Sequence, residues 1–311
     1  MSSSSDFCAD VALVTTDRYM AATAEPDDWY LANILREDAL LGEALTGLGL
    51  SFTRVAWNDD SVDWSRFRIA VIRSTWDYHE NLVEFKNWLE RVDTLTTLCN
   101  PLQFVRWNMD KHYLADLSEN GIPIVPSKFL EKGQPVSLPR IVEETGWKQA
   151  IFKPCVSAAA RETYRVDESN IADRQAVLSS LLERESLIFQ PFMQNVVSKG
   201  EDTLMVFGDT FTHAVRKTPK QGDFRVQDDH GGSVRSIEPE PEQVELALRA
   251  MKSRGFKLAY GRVDMVRDDE DRWRVMELEA IEPELWLRFS PEAARPFAAA
   301  IAEAAFSTDS K

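Results

Sequence analysis

Two neighbouring apolar runs near the C-terminus constrain this chain more than any other feature. In Gly261-Arg262-Val263-Asp264-Met265-Val266 the acidic residue is flanked by Val263 and Met265. In Val275-Met276-Glu277-Leu278-Glu279 acidic and apolar residues alternate. A strand sends successive side chains to opposite faces, so Glu277 and Glu279 share one face with Met276 and Leu278 behind them. The acidic turn from Asp268 to Asp271 predicts a hairpin, which would bring Asp264, Glu277 and Glu279 to one surface. Three such carboxylates repel strongly unless a cation neutralises them, and hard oxygen donors suit Mg²⁺. A solvated sheet face of alternating charge is the other reading of the same pattern.

The rest of the chain sets limits on the partner. At about 100–200 residues per domain, 311 residues make one large or two to three small domains. A composition of 44% hydrophobic and 28% charged residues is that of a globular protein. The formal charge of −15 repels nucleic acid and anionic membranes unless a local basic cleft reverses the field. Cys8, Cys99 and Cys155 are scattered and form no CxxC, and the four histidines form no HExxH, so neither a disulfide framework nor a zinc site is expected. No basic-then-apolar leader opens the chain, and no run approaches ~18 apolar residues. The expected setting is the reducing cytoplasm, away from membranes.

Hydrophobic patterning predicts an α/β protein. Asp10–Thr16 reads as a buried strand, Trp29 to Leu48 as a helix stopped by Gly47 and Gly49, and Ser51–Trp57 and Phe67–Arg73 as strands. Strand, helix, strand, strand predicts a small unit with a parallel sheet. A helix from Glu80 to Val92 and a short strand from Leu95 to Asn100 follow, with a junction near residues 100–108. Beyond it, Asp110 to Glu119 reads as helix and Gly121–Pro126 as extended, because each proline biases its predecessor away from the helical region. Strands are predicted at Ala150–Lys153, Leu187–Phe192, Thr203–Gly208 and Thr210–Val215, with helices at Ile171–Glu185, Pro241–Gly255 and Pro291–Phe306. The Gly-, Asp- and Pro-rich stretch from Gln221 to Glu240 reads as a mobile linker.

Four further features could carry chemistry. Lys153 ends an apolar strand and precedes a loop of small residues, Ser157-Ala158-Ala159-Ala160, an arrangement that can bring a point charge and backbone amides to phosphates. The glycines of a P-loop are absent there. Lys111 starts a helix elsewhere. In Gln190-Pro191-Phe192-Met193 the proline interrupts a strand and leaves backbone groups free to meet an adenine edge, although an edge strand with a proline looks the same. Arg216-Lys217, Arg225 and Arg235 place cations around a Gly-rich segment of an otherwise acidic chain, which suits phosphate or carboxylate groups or simply a solubilised loop. Arg73-Ser74-Thr75-Trp76-Asp77 follows a buried strand, where α/β sheets place binding loops, and could hold a substrate carboxylate against an aromatic wall. The cap of the following helix is its alternative role.

Taken in order, these elements resemble the ATP-grasp superfamily, and most closely its glutathione-synthetase-like branch. Within it, Arg73–Tyr78, Gly222-Asp223-Phe224-Arg225-Val226 and Glu277–Pro283 look like the cyclo-ligases of cycloserine biosynthesis and their relatives. The resemblance implies a preceding Rossmann-like domain over residues 1–107, a lid subdomain over 108–192 and a metal-bearing subdomain over 193–311. It implies that Lys111 and Lys153 grip the ATP phosphates, that Gln190–Met193 hold adenine and that Glu201 meets the ribose. Asp264, Glu277 and Glu279 would hold two Mg²⁺ ions. Arg216, Lys217, Arg225 and Arg262 would steady the transferred phosphoryl group or the acyl phosphate. Two positions depart from the superfamily pattern: Glu279 stands where Asn is usual, and the loop after Lys153 has alanines in place of glycines.

The activity so implied is ATP-dependent ligation of a carboxylate to an amine on a small amino-acid-like substrate, possible in a homodimer. Intramolecular ring closure is one alternative, and a non-catalytic nucleotide-binding protein is another.

Overall fold

A computed structural model describes residues 8–158, 161–220, 222–223, 226 and 231–307. Strands β1 (Ala9–Thr15), β2 (Phe52–Ala56), β3 (Phe67–Ser74) and β4 (Thr97–Leu98) form a parallel sheet in the order β2-β1-β3-β4. The helices α1 (Trp29–Gly47) and α2 (Leu82–Asp93) cover its two faces. Period two explains how: Val11 and Leu13 of β1 pack with Leu41 and Leu45 of α1, while Ala12 and Val14 pack with Phe85 and Trp88 of α2. Asp28 caps α1 by accepting the Leu31 N–H at 2.9 Å.

Helices α3 (Leu102–Asn108) and α4 (Tyr113–Glu119) lead into a second, antiparallel sheet. It contains β5 (Lys128–Leu130), β6 (Ala150–Pro154), β7 (Tyr164–Val166) and β8 (Leu187–Pro191), in the order β5-β8-β6-β7. Helices α5 (Leu138–Thr145) and α6 (Ile171–Leu182) bury Leu138, Ile141, Leu178 and Leu182 against it. After α7 (Gln194–Ser198) comes a five-stranded antiparallel sheet of β9 (Glu201–Phe207), β10 (Thr210–Thr218), β11 (Ser233–Ile237), β12 (Tyr260–Arg267) and β13 (Trp273–Glu279). Its order is β11-β10-β9-β12-β13. Helix α8 (Pro241–Lys252) packs Leu246, Ala247 and Ala250 on one face of this sheet, and its start is held by a capping box of Glu240 and Gln243. The sheet approaches α8 closely at Gly261: a Cβ there would lie 2.4 Å from Met251 Sδ, so the methionine side chain would have to shift.

One feature differs from the sequence expectation. The stretch from Gln221 to Glu240 contains an ordered strand, β11, which pairs with β10 from Ser233↔Thr218 to Ile237↔Ala214. The C-terminal helix α9 (Ala294–Phe306) does not stay with the last sheet alone. Phe297 and Ile301 join the core of the N-terminal sheet with Val11, Ile69 and Leu41, and Phe297 also packs on Phe207 and Tyr260. An Ala-rich helix has a narrow apolar stripe that two surfaces can share, and here it couples the first sheet to the third.

Candidate active site

The hairpin β12–β13 aligns Asp264 with Glu277 and Arg262 with Glu279. Directly opposed residues of an antiparallel pair share a face, so all four side chains project together. A bulge follows, since the register slips between Asp264 and Met265. The slip gives β13 an extra residue at Met276, which lets Met276 line the same cavity as Glu277. The outer edge of β13 is closed by main-chain bonds to Pro123 and Val125, at 2.8 and 2.9 Å. Asn108 continues the closure, bonding the Leu278 carbonyl at 2.7 Å and the Ala280 N–H at 2.9 Å, while the Tyr113 hydroxyl accepts the Leu278 N–H at 2.9 Å. The edge that carries the carboxylates is therefore held rigidly.

Lys217 on β10 and Glu201 on β9 lie opposite one another and face the same side as the quartet. Gly200 precedes Glu201 with φ +88°, and a Cβ there would come within 2.7 Å of the Lys217 carbonyl. Lys217 pairs with both Glu201 and Asp264, the latter at 3.0 Å. Arg262 grips Asp264 with two bonds of 3.0 and 2.9 Å and also pairs with Glu279. From the other side, Lys111 reaches Glu277 at 2.9 Å and donates to the Ser157 carbonyl at 3.0 Å. Lys153 lies 4.0 Å from Glu277.

Burial sets the tone of this network, and charge pairing decides each outcome. Burial opposes ionisation of Glu277, but Lys111 and Lys153 hold its carboxyl down at about 2. Asp264 is likewise held low against burial by Arg262 and Lys217. Glu279 goes the other way: burial outweighs Arg262, Asp264 and Glu277 repel it, and its pKa rises to about 7. Burial also raises Glu201 in spite of Lys217. Burial lowers Lys153 despite Glu277, whereas Glu277 holds Lys111 above the usual lysine range against the same penalty.

These side chains line one cavity of about 270 Å³. At one end Gln190, Pro191, Phe192 and Met193 meet an apolar wall that includes Val125, Val196, Val226 and Met276. Gln190 donates to the Ser127 hydroxyl at 3.0 Å, and the Phe192 N–H donates to the Gln149 carbonyl at 2.9 Å. The other end is walled by Tyr30, Trp76, Tyr78 and Trp286 and carries Glu282 and Glu284. Burial, then the Glu279 charge, pushes the Glu282 carboxyl up to about 8. The cavity thus joins an apolar slot, a charged middle and an aromatic end. The carboxylate oxygens of Asp264, Glu277 and Glu279 are hard donors of the kind Mg²⁺ takes.

Several predicted residues lie elsewhere. Arg216 points to the opposite face from Lys217, because neighbours on a strand must, and it grips buried Asp202 at 2.5 and 2.8 Å. Within Arg73–Asp77 only Trp76 lines the cavity. Arg73 is buried 3.7 Å from Asp38 of α1, the Ser74 hydroxyl meets Thr15 at 2.7 Å, and Thr75 is fully buried. Asp77 accepts from Trp57 Nε1 and the Thr16 hydroxyl at 3.0 and 2.8 Å. This segment ends a buried strand and spends its polar groups on the sheet and helices around it. Arg225 lies outside the described residues. Trp76 and Tyr78, read from the sequence as a pocket wall, both line the cavity, whereas sequence reasoning gave no role to Tyr30, Glu282 or Trp286. Glu282 falls within a quoted motif, but Tyr30 and Trp286 carry no local signal and reach the cavity through tertiary packing.

Comparison with known proteins bears on this arrangement. Residues 11–100 match the family described as D-cycloserine synthetase DcsG, N-terminal domain, and residues 163–285 match the RimK-like ATP-grasp domain. The chain is 31% identical over 272 residues to the cycloserine biosynthesis protein DcsG of Streptomyces lavendulae, covering 84% of this chain and 91% of that protein. The crystal structure of D-cycloserine synthetase DcsG superposes with a TM-score of 0.82 at 29% identity, covering 95% and 99% of the two chains. D-alanine–D-alanine ligase from Bacillus anthracis, solved with ATP, shares the fold at a TM-score of 0.66 and 15% identity, over 95% of this chain and 96% of that one.

Proposed function

Because this chain belongs to the ATP-grasp ligases, in the branch that contains DcsG, we propose that it activates the carboxylate of a small amino-acid-like substrate as an acyl phosphate for attack by an amine. ATP-grasp ligases are ATP-dependent enzymes that form C–N bonds. The observation that carries the finer reading is the convergence of Lys111 and Lys153 on Glu277, beside Asp264 and Glu279, in a cavity with one apolar and one aromatic end.

A carboxylate does not react with an amine unaided, and phosphorylation turns one oxygen into a leaving group. The substrate carboxylate attacks the γ-phosphorus, and the bond to the β–γ bridging oxygen breaks to release ADP. The amine then attacks the acyl carbon and phosphate departs with the carboxylate's former oxygen. Such transfers need positioning and charge neutralisation more than covalent catalysis. Lys111 and Lys153 would take the phosphates, and the wall from Gln190 to Met193 would take adenine. Arg262 and Lys217 would steady the transferred phosphoryl group, and Glu201 would meet the ribose. Asp264, Glu277 and Glu279 would hold two Mg²⁺ ions, which supply charge screening and polarisation of phosphate oxygens. Each lysine now contacts a carboxylate of this set, so nucleotide entry exchanges partners within a preformed network instead of building one. The second sheet, over residues 128–191, would close as a lid and keep water from the acyl phosphate.

The DcsG relationship favours ring closure within one substrate over ligation of two. Substrate labelled with ¹⁸O in its carboxylate should yield ¹⁸O-phosphate in step with ADP, and a single substrate without added amine should suffice. Unlabelled phosphate would refute the acyl-phosphate route, and a strict need for a second amine would refute cyclisation.

A further inference from the structure

The aromatic end of the cavity holds a carboxylate that the network leaves out. Asp264 has Arg262 and Lys217, Glu277 has Lys111 and Lys153, Glu279 has Arg262, and Glu284 has Arg288. Among the described residues no basic side chain forms an ion pair with Glu282; Lys111 and Arg262 act on it only from farther off, and its carboxylate accepts from its own backbone N–H. Glu282 is partly shielded from water, and a partly desolvated carboxylate without an ion-pair partner favours a cation from outside; the segment that carries it is held in place. Trp76 Nε1 donates to the Glu282 carbonyl at 2.8 Å, the Tyr260 hydroxyl donates to the Ile281 carbonyl at 2.7 Å, and Arg262 reaches the Glu284 carbonyl at 3.3 Å. Downstream, Glu37 accepts the Leu287 and Arg288 N–H groups at 2.8 and 2.9 Å. Between these ties Trp286 sits at φ +54°, a left-handed conformation rare for a bulky residue and typical of sites where strain is maintained by the surroundings.

Resting on the ligase reading above, we propose that Glu282 is the seat of the substrate's protonated amine. The surroundings favour an organic cation over a metal. Trp76 and Tyr78 line the cavity with Glu282, and Trp76 packs on Tyr30 with centroids 5.6 Å apart. Aromatic faces attract an alkylammonium, whereas Mg²⁺ demands an octahedron of oxygens. Arg262 links the two ends of the substrate: it is placed at the phosphoryl-transfer centre and also bonds the Glu282-Pro283-Glu284 segment. A carboxylate beside Arg262 and an ammonium beside Glu282 match two charges carried on one α-carbon.

The test titrates wild-type, Glu282→Gln and Glu282→Asp protein, each with Mg·ADP present, with D- and L-serine, D- and L-alanine, D-cycloserine and the N-acetyl form of each. Wild-type protein should bind at least one free amine more tightly than its acetylated form. Glu282→Gln should weaken that probe about 10- to 100-fold and erase the preference, and Glu282→Asp should restore part of it. Mg·ADP affinity and melting temperature should stay near wild-type in both variants. The assignment fails if no free amine is preferred, if the preference survives Glu282→Gln, or if that variant loses Mg·ADP affinity in parallel, which would mark a metal ligand. Wild-type protein unable to bind Mg·ADP would instead remove the ligase reading, and this proposal with it.

Discussion

The two faces of the third sheet carry the same kinds of residue with opposite consequences. Glu201 and Asp202 are neighbours on β9, and Lys217 and Arg216 are their partners on β10. On one face Asp202, Arg216 and Gln243 of α8 close on one another, with Gln243 donating to Asp202 at 2.9 Å. On the other, Glu201 and Lys217 open into the cavity and extend to Asp264, Arg262 and Glu279. A helix covers the first cluster, so its charges have nowhere further to go. A cavity adjoins the second, so each of its ion pairs can be traded for a ligand. What separates a structural ion cluster from a functional one here is the neighbour across the face, which strand composition does not encode.

Substitutions on the open face should therefore act on turnover, and those on the closed face on stability. The largest expected effect is at Glu277. Glu277→Gln keeps the shape but removes the charge that Lys111 and Lys153 share, and it should lower Mg·ATP turnover about 10³-fold with the fold intact. ADP release beside a thermal melt checks it, and wild-type rates would refute the metal assignment. Lys217→Met comes next. It should cost about 10²-fold in turnover and also lower stability, because Glu201 and Asp264 lose a shared cation. A variant that melts early but turns over normally would place Lys217 with the structural cluster.

Most of the architecture was legible because burial leaves a periodic trace. The alternation around Glu277 and Glu279 fixed their common face, and the runs of β1, β3 and β12 announced themselves as apolar. Harder to read were elements whose partners lie far away in sequence. Arg73 looked free for substrate, but its partner Asp38 sits on α1 and nothing near Arg73 signals it. Arg216-Lys217 read as one basic pair, although period two had already assigned them to different faces. Strand β11 hid in a polar stretch because it borders solvent and needs little apolar character. The short β5, β7, α5 and α7 left no trace long enough to count. Tyr30, Trp286 and Glu282 meet only through packing of the first and third sheets, so the aromatic end of the cavity could not be assembled from sequence.

On the closed face, Arg216→Met should leave buried Asp202 with Gln243 alone and cost about 2–3 kcal/mol of stability. Affinity for Mg·ADP should change less than about twofold, measured by calorimetry against denaturant melts. A large loss of nucleotide affinity would show that the two faces are coupled through β9 and β10.

The smallest effect belongs to a third cluster, at the tip of the β12–β13 hairpin, which tests whether closure alone confers stability. Asp268 accepts the backbone N–H groups of Glu270 and Arg272 at 3.0 and 2.9 Å and pairs with Arg272 and Arg274 at 3.1 and 2.9 Å. Burial works against its charge, but the Arg272 N–H and the two guanidinium groups hold its carboxyl at about 2, below the ordinary 3.8. A depressed carboxyl stabilises the fold fully above its ordinary pKa and loses that contribution as pH falls toward the folded value. Asp268→Asn should therefore cost only about 1 kcal/mol at pH 7, because solvent screens a hairpin tip. The gap between variant and wild type should narrow below pH 4 and close near pH 2. A gap unchanged across that interval would mean that the hydrogen-bonded shape of the turn, not the charge of Asp268, stabilises the hairpin that carries the carboxylates.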